Sequence, residues 1–96
     1  MKIIKLMPDY QCYPLWKTGD DAGDINPNDF LISNKLKEDL FKWQSTYDQT
    51  LNMSNPAESG FHNEEAYLLF KKEGKFLQDR LQKELGSEYK VLYFYD

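Results

Sequence analysis

Hydrophobic and polar positions change period several times along the chain, and each change marks a different element. Residues 2–7, KIIKLM, form a short apolar run, β-branched at Ile3 and Ile4 and closed by Pro8, which predicts a strand. Gln11–Trp16 reads as a second short strand. Pro14 cannot donate to a hydrogen-bond ladder, so this strand belongs at an edge or is irregular. Thr18 to Asp29, rich in Gly, Asp, Asn and Pro, reads as loop.

The period then lengthens. Leu36, Leu40, Trp43, Tyr47 and Leu51 step by four, three, four and four, the stripe of an amphipathic helix from Asn34 to Leu51. Ser33 or Asn34 supplies the N-cap, and Glu38 and Asp39 sit early, where the helix dipole favours negative charge. Asn52 to Phe61, NMSNPAESGF, is a connector. Asn63, Glu64 and Glu65 open a second helix with the stripe Ala66, Phe70, Leu77, Leu81, Leu85, and Gly86 stops it. Gly74 falls on that stripe at a propensity cost of about 1 kcal/mol, which predicts a close approach to the first helix or to the sheet. Tyr89 to Tyr95 alternates Tyr89, Val91, Tyr93, Tyr95 with Lys90, Leu92, Phe94. Both faces are apolar, which predicts an interior strand covered on its second face by the Cys12–Trp16 segment or by a partner.

Strands at the two ends with helices between them require the ends to meet. The predicted fold is therefore α+β and two-layered. Its small sheet pairs the first and last strands, adds a short irregular edge strand, and is packed by an antiparallel helical hairpin. At 96 residues this is a single domain, 1–96, with one modest core. Aromatic residues, 16% of the chain, supply that core well.

A single cysteine, Cys12, permits no internal disulfide and fits a cytoplasmic home. The early apolar run is too short and broken for a signal peptide, and no run reaches membrane-spanning length. A net charge of −4 argues against nucleic-acid and for basic protein partners, although solubility alone would account for it.

Candidate chemistry is sparse. Cys12 and His62 are the only thiol and imidazole, too few for a zinc site and unmarked as a catalytic pair. Asp24, Asn26 and Asn28 occupy the first, third and fifth places of an EF-hand-like series, but Asp29 stands where glycine is required and Lys35 where glutamate is required. The glycines form no phosphate-binding motif. Base stacking on the last strand lacks basic surroundings, and the Lys71–Lys83 run is interleaved with acids as a solvated helix face. No cofactor or metal is expected, and the chain does not read as an enzyme.

What remains looks like contact. Tyr10, Tyr13 and Trp16 are rigid, amphipathic anchors, and Asp20, Asp21, Asp24 and Asp29 follow as an acidic loop. The competing readings are core packing, favoured for Trp16, and a solvated loop for the aspartates. Asp48 has a structural reading, as acceptor for the Ser59–Gly60 backbone.

The segment MPDYQCYPLW, with WQSTYDQTLN in the first helix and PAESGF before the second, resembles a family of small bacterial proteins. The resemblance spans nearly the whole chain. Its marked residues include Pro8, Asp9, Tyr10, Cys12, Trp16, Trp43, Tyr47, Asp48, Ser59, Gly60 and Phe61. Some members of that family resemble immunity proteins encoded beside toxins of contact-dependent growth inhibition systems. The resemblance implies a protein that binds the C-terminal domain of a cognate toxin, a basic nuclease such as a ribonuclease among the candidates, and blocks it. An aspartate-rich loop suits such a cleft because it mimics phosphates. Asp20, Asp21, Asp24 and Asp29 with Tyr10, Tyr13 and Trp16 are then the partner-binding residues, on a monomer or weak dimer. Alternatives are a small non-catalytic adaptor, a homo-oligomeric protein, or an enzyme of unrecognised type.

Overall fold

A computed structural model describes residues 2–19, 22–51, 60–61 and 63–94. Strand β1 (Lys2–Leu6) is followed by β2 (Leu15–Lys17) and β3 (Gly23–Ile25). A 3-10 turn (Pro27–Asp29), helix α1 (Asn34–Asp48), helix α2 (Glu64–Leu85) and strand β4 (Tyr89–Tyr93) complete the order. The sheet runs β3-β2-β1-β4. β1 pairs in parallel with β4, Ile4 opposite Val91, and antiparallel with β2, Leu6 opposite Leu15. The two ends of the chain thus meet as the hydrophobic pattern predicts, in an α+β fold with both helices on one face of the sheet.

Two strand positions differ from the sequence reading. β2 begins at Leu15, after Pro14, so every residue of β2 can donate to a ladder and the strand lies inside the sheet. The outer place goes to β3, three residues within the segment that composition marks as loop. β4, read as interior, is the opposite edge. The helical hairpin lies over Val91, whereas Leu92 is half-buried and Phe94 is 49% exposed on the other side. Tyr95 lies outside the described residues.

The helices begin where their caps require. Ser33 Oγ accepts from the Leu36 amide, and Asn63 Oδ1 accepts from the Ala66 amide at the head of α2. α1 ends at Asp48, three residues before Leu51, and α2 ends at a left-handed Gly86 (φ 79°). The core joins Ile4, Leu6, Leu15, Ile25 and Val91 of the sheet to Leu36, Leu40, Trp43, Phe70, Leu77 and Leu81 of the helices. Leu6, Leu15, Leu36, Leu40 and Leu81 are fully shielded. Each such leucine contributes about 1.5–3 kcal/mol relative to an exposed one. Trp43 stacks on Phe70 with ring centroids 4.5 Å apart, and its Nε1 donates to the Phe70 carbonyl at 3.0 Å. Gly74 provides the close approach that its place on the stripe predicts: a Cβ there would come within 2.7 Å of Trp43 Cζ2 and would also collide with the Tyr93 hydroxyl.

Candidate functional site

Three aspartates from three parts of the chain hold the loop between β1 and β2. Asp9 Oδ1 accepts from the Tyr10 amide at 2.8 Å, Asp48 Oδ1 from the Gln11 amide at 2.8 Å, and Asp24 Oδ2 from the Tyr13 amide at 2.9 Å. Gln11 is left-handed (φ 61°), a conformation disfavoured outside glycine, and the Asp48 bond fastens it there. Asp48 is the last residue of α1, where the dipole disfavours a carboxylate. Donation from Gln11 and from Gln44 Nε2 (3.1 Å) offsets that placement. Asp48 therefore braces the Gln11 loop, and the Gly60 amide, expected to bond to it, bonds to the Thr50 carbonyl instead. Ser59 lies outside the described residues.

Loop and helix together enclose an open cleft of about 420 Å³ whose walls include Cys12, Tyr13, Asp24, Phe41, Gln44 and Asp48. Tyr13 meets Phe41 edge-on with centroids 6.3 Å apart. Among the described residues, none of Asp9, Asp24 and Asp48 pairs with a lysine or arginine. The cations Lys35 and Arg80 both serve Asp39. Burial pushes the Cys12 thiol above its ordinary value, and the charges of Asp9, Asp24 and Asp48 push it further in the same direction. At neutral pH it is a protonated thiol and a poor nucleophile. His62, its only candidate imidazole partner, lies outside the described residues. No group of three His, Cys, Asp or Glu side chains could hold a metal ion among the described residues. Asn26, read as part of an EF-hand-like series, caps the 3-10 turn by accepting from the Asn28 amide. The cleft offers acceptors and negative charge, and it suits a donor with positive charge.

The sequence-predicted site residues separate into groups. Asp24 and Tyr13 meet in the cleft, where Tyr13 is 40% exposed and its hydroxyl accepts from Asn26 Nδ2 at 3.3 Å. Tyr10 packs its ring on Tyr47, centroids 4.6 Å apart, and its hydroxyl shares a hydrogen bond with Thr50 Oγ1. Trp16 lies half-buried in β2, with Nε1 donating to the Met7 carbonyl at 2.8 Å. Asp29 is exposed on the 3-10 turn, on the rim of a second hollow that Lys2 and Lys17 also line. Asp20 and Asp21 lie outside the described residues. The structure thus brings together one tyrosine and one aspartate of the seven.

The residues expected from the sequence leave out Phe41, Gln44 and Asp48, which line this cleft, and Asp9, which holds the Tyr10 amide. A signal for two of them exists. Leu36, Leu40, Gln44 and Asp48 follow one another at four-residue steps, so two polar side chains continue a row that begins in the core. Asp9 carries no such mark, since only the chain fold brings it near this row.

Comparison with curated proteins returns no significant match. Among the described residues, no helix is long and apolar enough to cross a membrane. A protein-family model described as Serratia CdiI immunity protein-like matches residues 2–96, and the chain belongs to that family.

Proposed function

We propose that this protein is an immunity protein that binds and neutralises the C-terminal domain of a cognate toxin by contact through an acidic surface. The observation that carries the reading is the cleft itself: Asp24 and Asp48 line it without a described cationic partner, beside the exposed ring of Tyr13, and Asp9 adds charge from the same loop. A surface that keeps carboxylates unpaired favours a basic partner and speeds its encounter. A nuclease toxin meets that requirement, because a cleft built for phosphates is basic. Asp20, Asp21 and Asp29 extend the same sign of charge along the chain, and Tyr10 and Trp16 brace the loop that presents Tyr13. The action is non-catalytic, and the protonated state of Cys12 accords with that. The cell interior, where the toxin would act on its own producer, is the place of action.

The test is calorimetric titration of the purified protein with the toxin domain encoded beside its gene, at two salt concentrations. A stoichiometric complex whose affinity falls as salt rises supports the reading. Absence of a complex overturns it.

A homo-oligomer is the second reading. Its support is the outer side of α2, where Leu69 and Phe76, seven residues apart, are 57% and 58% exposed. Sedimentation equilibrium separates the two: the immunity reading expects a monomer or weak dimer in the absence of toxin.

A further inference from the structure

Gln44 makes the cleft more than a cluster of acids. Its side chain is only 5% exposed, and its Nε2 donates twice, to the Asp9 carbonyl at 2.6 Å and to Asp48 Oδ1 at 3.1 Å. Reversing the amide would set its oxygen against two acceptors, so this orientation is fixed. Gln44 Oε1 is then left buried with no hydrogen-bond partner among the described residues. Buried acceptors are nearly always satisfied, and an orphan marks a place where a donor belongs.

The cleft itself presents charge. Asp24 and Asp48 each hold one loop amide, and a carboxylate has about four acceptor positions. A ligand with several donors and positive charge answers both carboxylates. The walls add a second requirement, because Tyr13 and Phe41 present aromatic rings to the same space. A guanidinium satisfies all of these: five donors in a rigid fork, permanent charge, and a planar group that lies on aromatic rings. An ammonium concentrates three donors at one point and reaches fewer of these acceptors at once.

We propose that this cleft is a socket for one arginine side chain of the partner, its guanidinium meeting the carboxylates of Asp24 and Asp48 and its stem lying against Tyr13 and Phe41. The inference rests on the immunity reading for the identity of the partner, and on the cleft alone for the chemistry.

The experiment separates these two parts. In the first arm, the 15N-labelled protein is titrated with Nα-acetylarginine amide and, separately, with its uncharged isostere Nα-acetylcitrulline amide. Saturable shifts at the Gln11 and Tyr13 amides and the Gln44 side-chain NH2 are expected with arginine and not with citrulline. Asp24→Asn and Asp48→Asn keep an oxygen for the loop amides while removing charge, and each should weaken arginine binding about fivefold. An equal response to citrulline, no saturable shift, or unchanged affinity in both variants would overturn the socket. In the second arm, the same variants are titrated with the toxin domain. Weakened association supports the arginine contact, whereas unchanged association beside a weakened arginine response overturns it as the toxin contact and leaves immunity standing. Arginine binding with no toxin complex in the wild type overturns the immunity reading and keeps the socket.

Discussion

Gln82 stands beside Val91 as a neighbouring strand would. Its Oε1 accepts from the Val91 amide at 2.9 Å and its Nε2 donates to the Tyr89 carbonyl at 2.8 Å, while Gln78 donates to the Val91 carbonyl one helical turn earlier. β4 is an edge strand, and exposed edges invite pairing with other chains. Two glutamines of α2 close this edge and fix the helix against it. Gln82→Ala should lower stability by about 1–2 kcal/mol, read as a lower urea midpoint, because two backbone groups lose partners. The variant should also aggregate more readily in light scattering. An unchanged midpoint together with unchanged scattering would show that the glutamine pairing is incidental.

Gly74→Ala runs against helix propensity. In an exposed helix the change would stabilise by about 1 kcal/mol. Here the new Cβ meets Trp43 and the Tyr93 hydroxyl, which itself donates to the Lys71 carbonyl at 3.0 Å. A net loss of about 1–3 kcal/mol is expected from overpacking, with a lowered melting temperature. A higher melting temperature would mean that α2 can shift without cost.

Asp39 supplies a pH test with a defined sign. The Arg80 guanidinium at 2.7 Å, with Lys35 at 3.2 Å, holds its carboxyl below the ordinary 3.8. A depressed carboxylate stabilises the fold above its unfolded value and loses that contribution as pH falls through the folded value. Both partners are partly open to solvent, so the contribution is small, about 0.2–1 kcal/mol. The stability difference between the wild type and Asp39→Asn should be present at pH 6, shrink with added salt, and vanish below the ordinary carboxylate range. A difference that grew on acidification would contradict the assignment.

Cys12 should be slow to alkylate. With its thiol raised above 9.0 by burial and by Asp9, Asp24 and Asp48, its iodoacetamide rate at pH 8 should lie below that of a free thiol. Asp24→Asn should move the rate profile to lower pH. Cys12→Ser should leave toxin binding intact, and loss of binding in a folded serine variant would point to a role for the sulfur itself.

These relationships differ in how far the sequence announces them. The stripes through Leu36–Tyr47 and Phe70–Leu85 suffice for the hairpin, because a helix repeats its buried face every three or four residues. Gly74 was legible as a close approach for the same reason. β3 was not, since Gly23, Asp24 and Ile25 contain one buried apolar residue and owe their pairing to β2. The apolar Leu92 and Phe94 suggested a covered strand. In the structure Phe94 instead receives the Lys5 ammonium 5.5 Å from its ring centre, a use of an aromatic residue that alternation does not reveal. The cleft was legible in part: Tyr13 and Asp24 were expected as contacts, and the Gln44–Asp48 row was visible in the spacing. Their convergence with Asp9 depends on a loop fastened by Asp48 across 37 positions of chain, and no local pattern encodes that distance.

The central claim is that acidic groups in this cleft neutralise a toxin. Its most direct measurement is the growth of cells that produce the adjacent toxin domain together with either the wild-type protein or the Asp24→Asn, Asp48→Asn double variant, at matched folded levels. The account predicts normal growth with the wild type and arrested growth with the double variant. Full protection by the double variant, or none by the wild type, would contradict it.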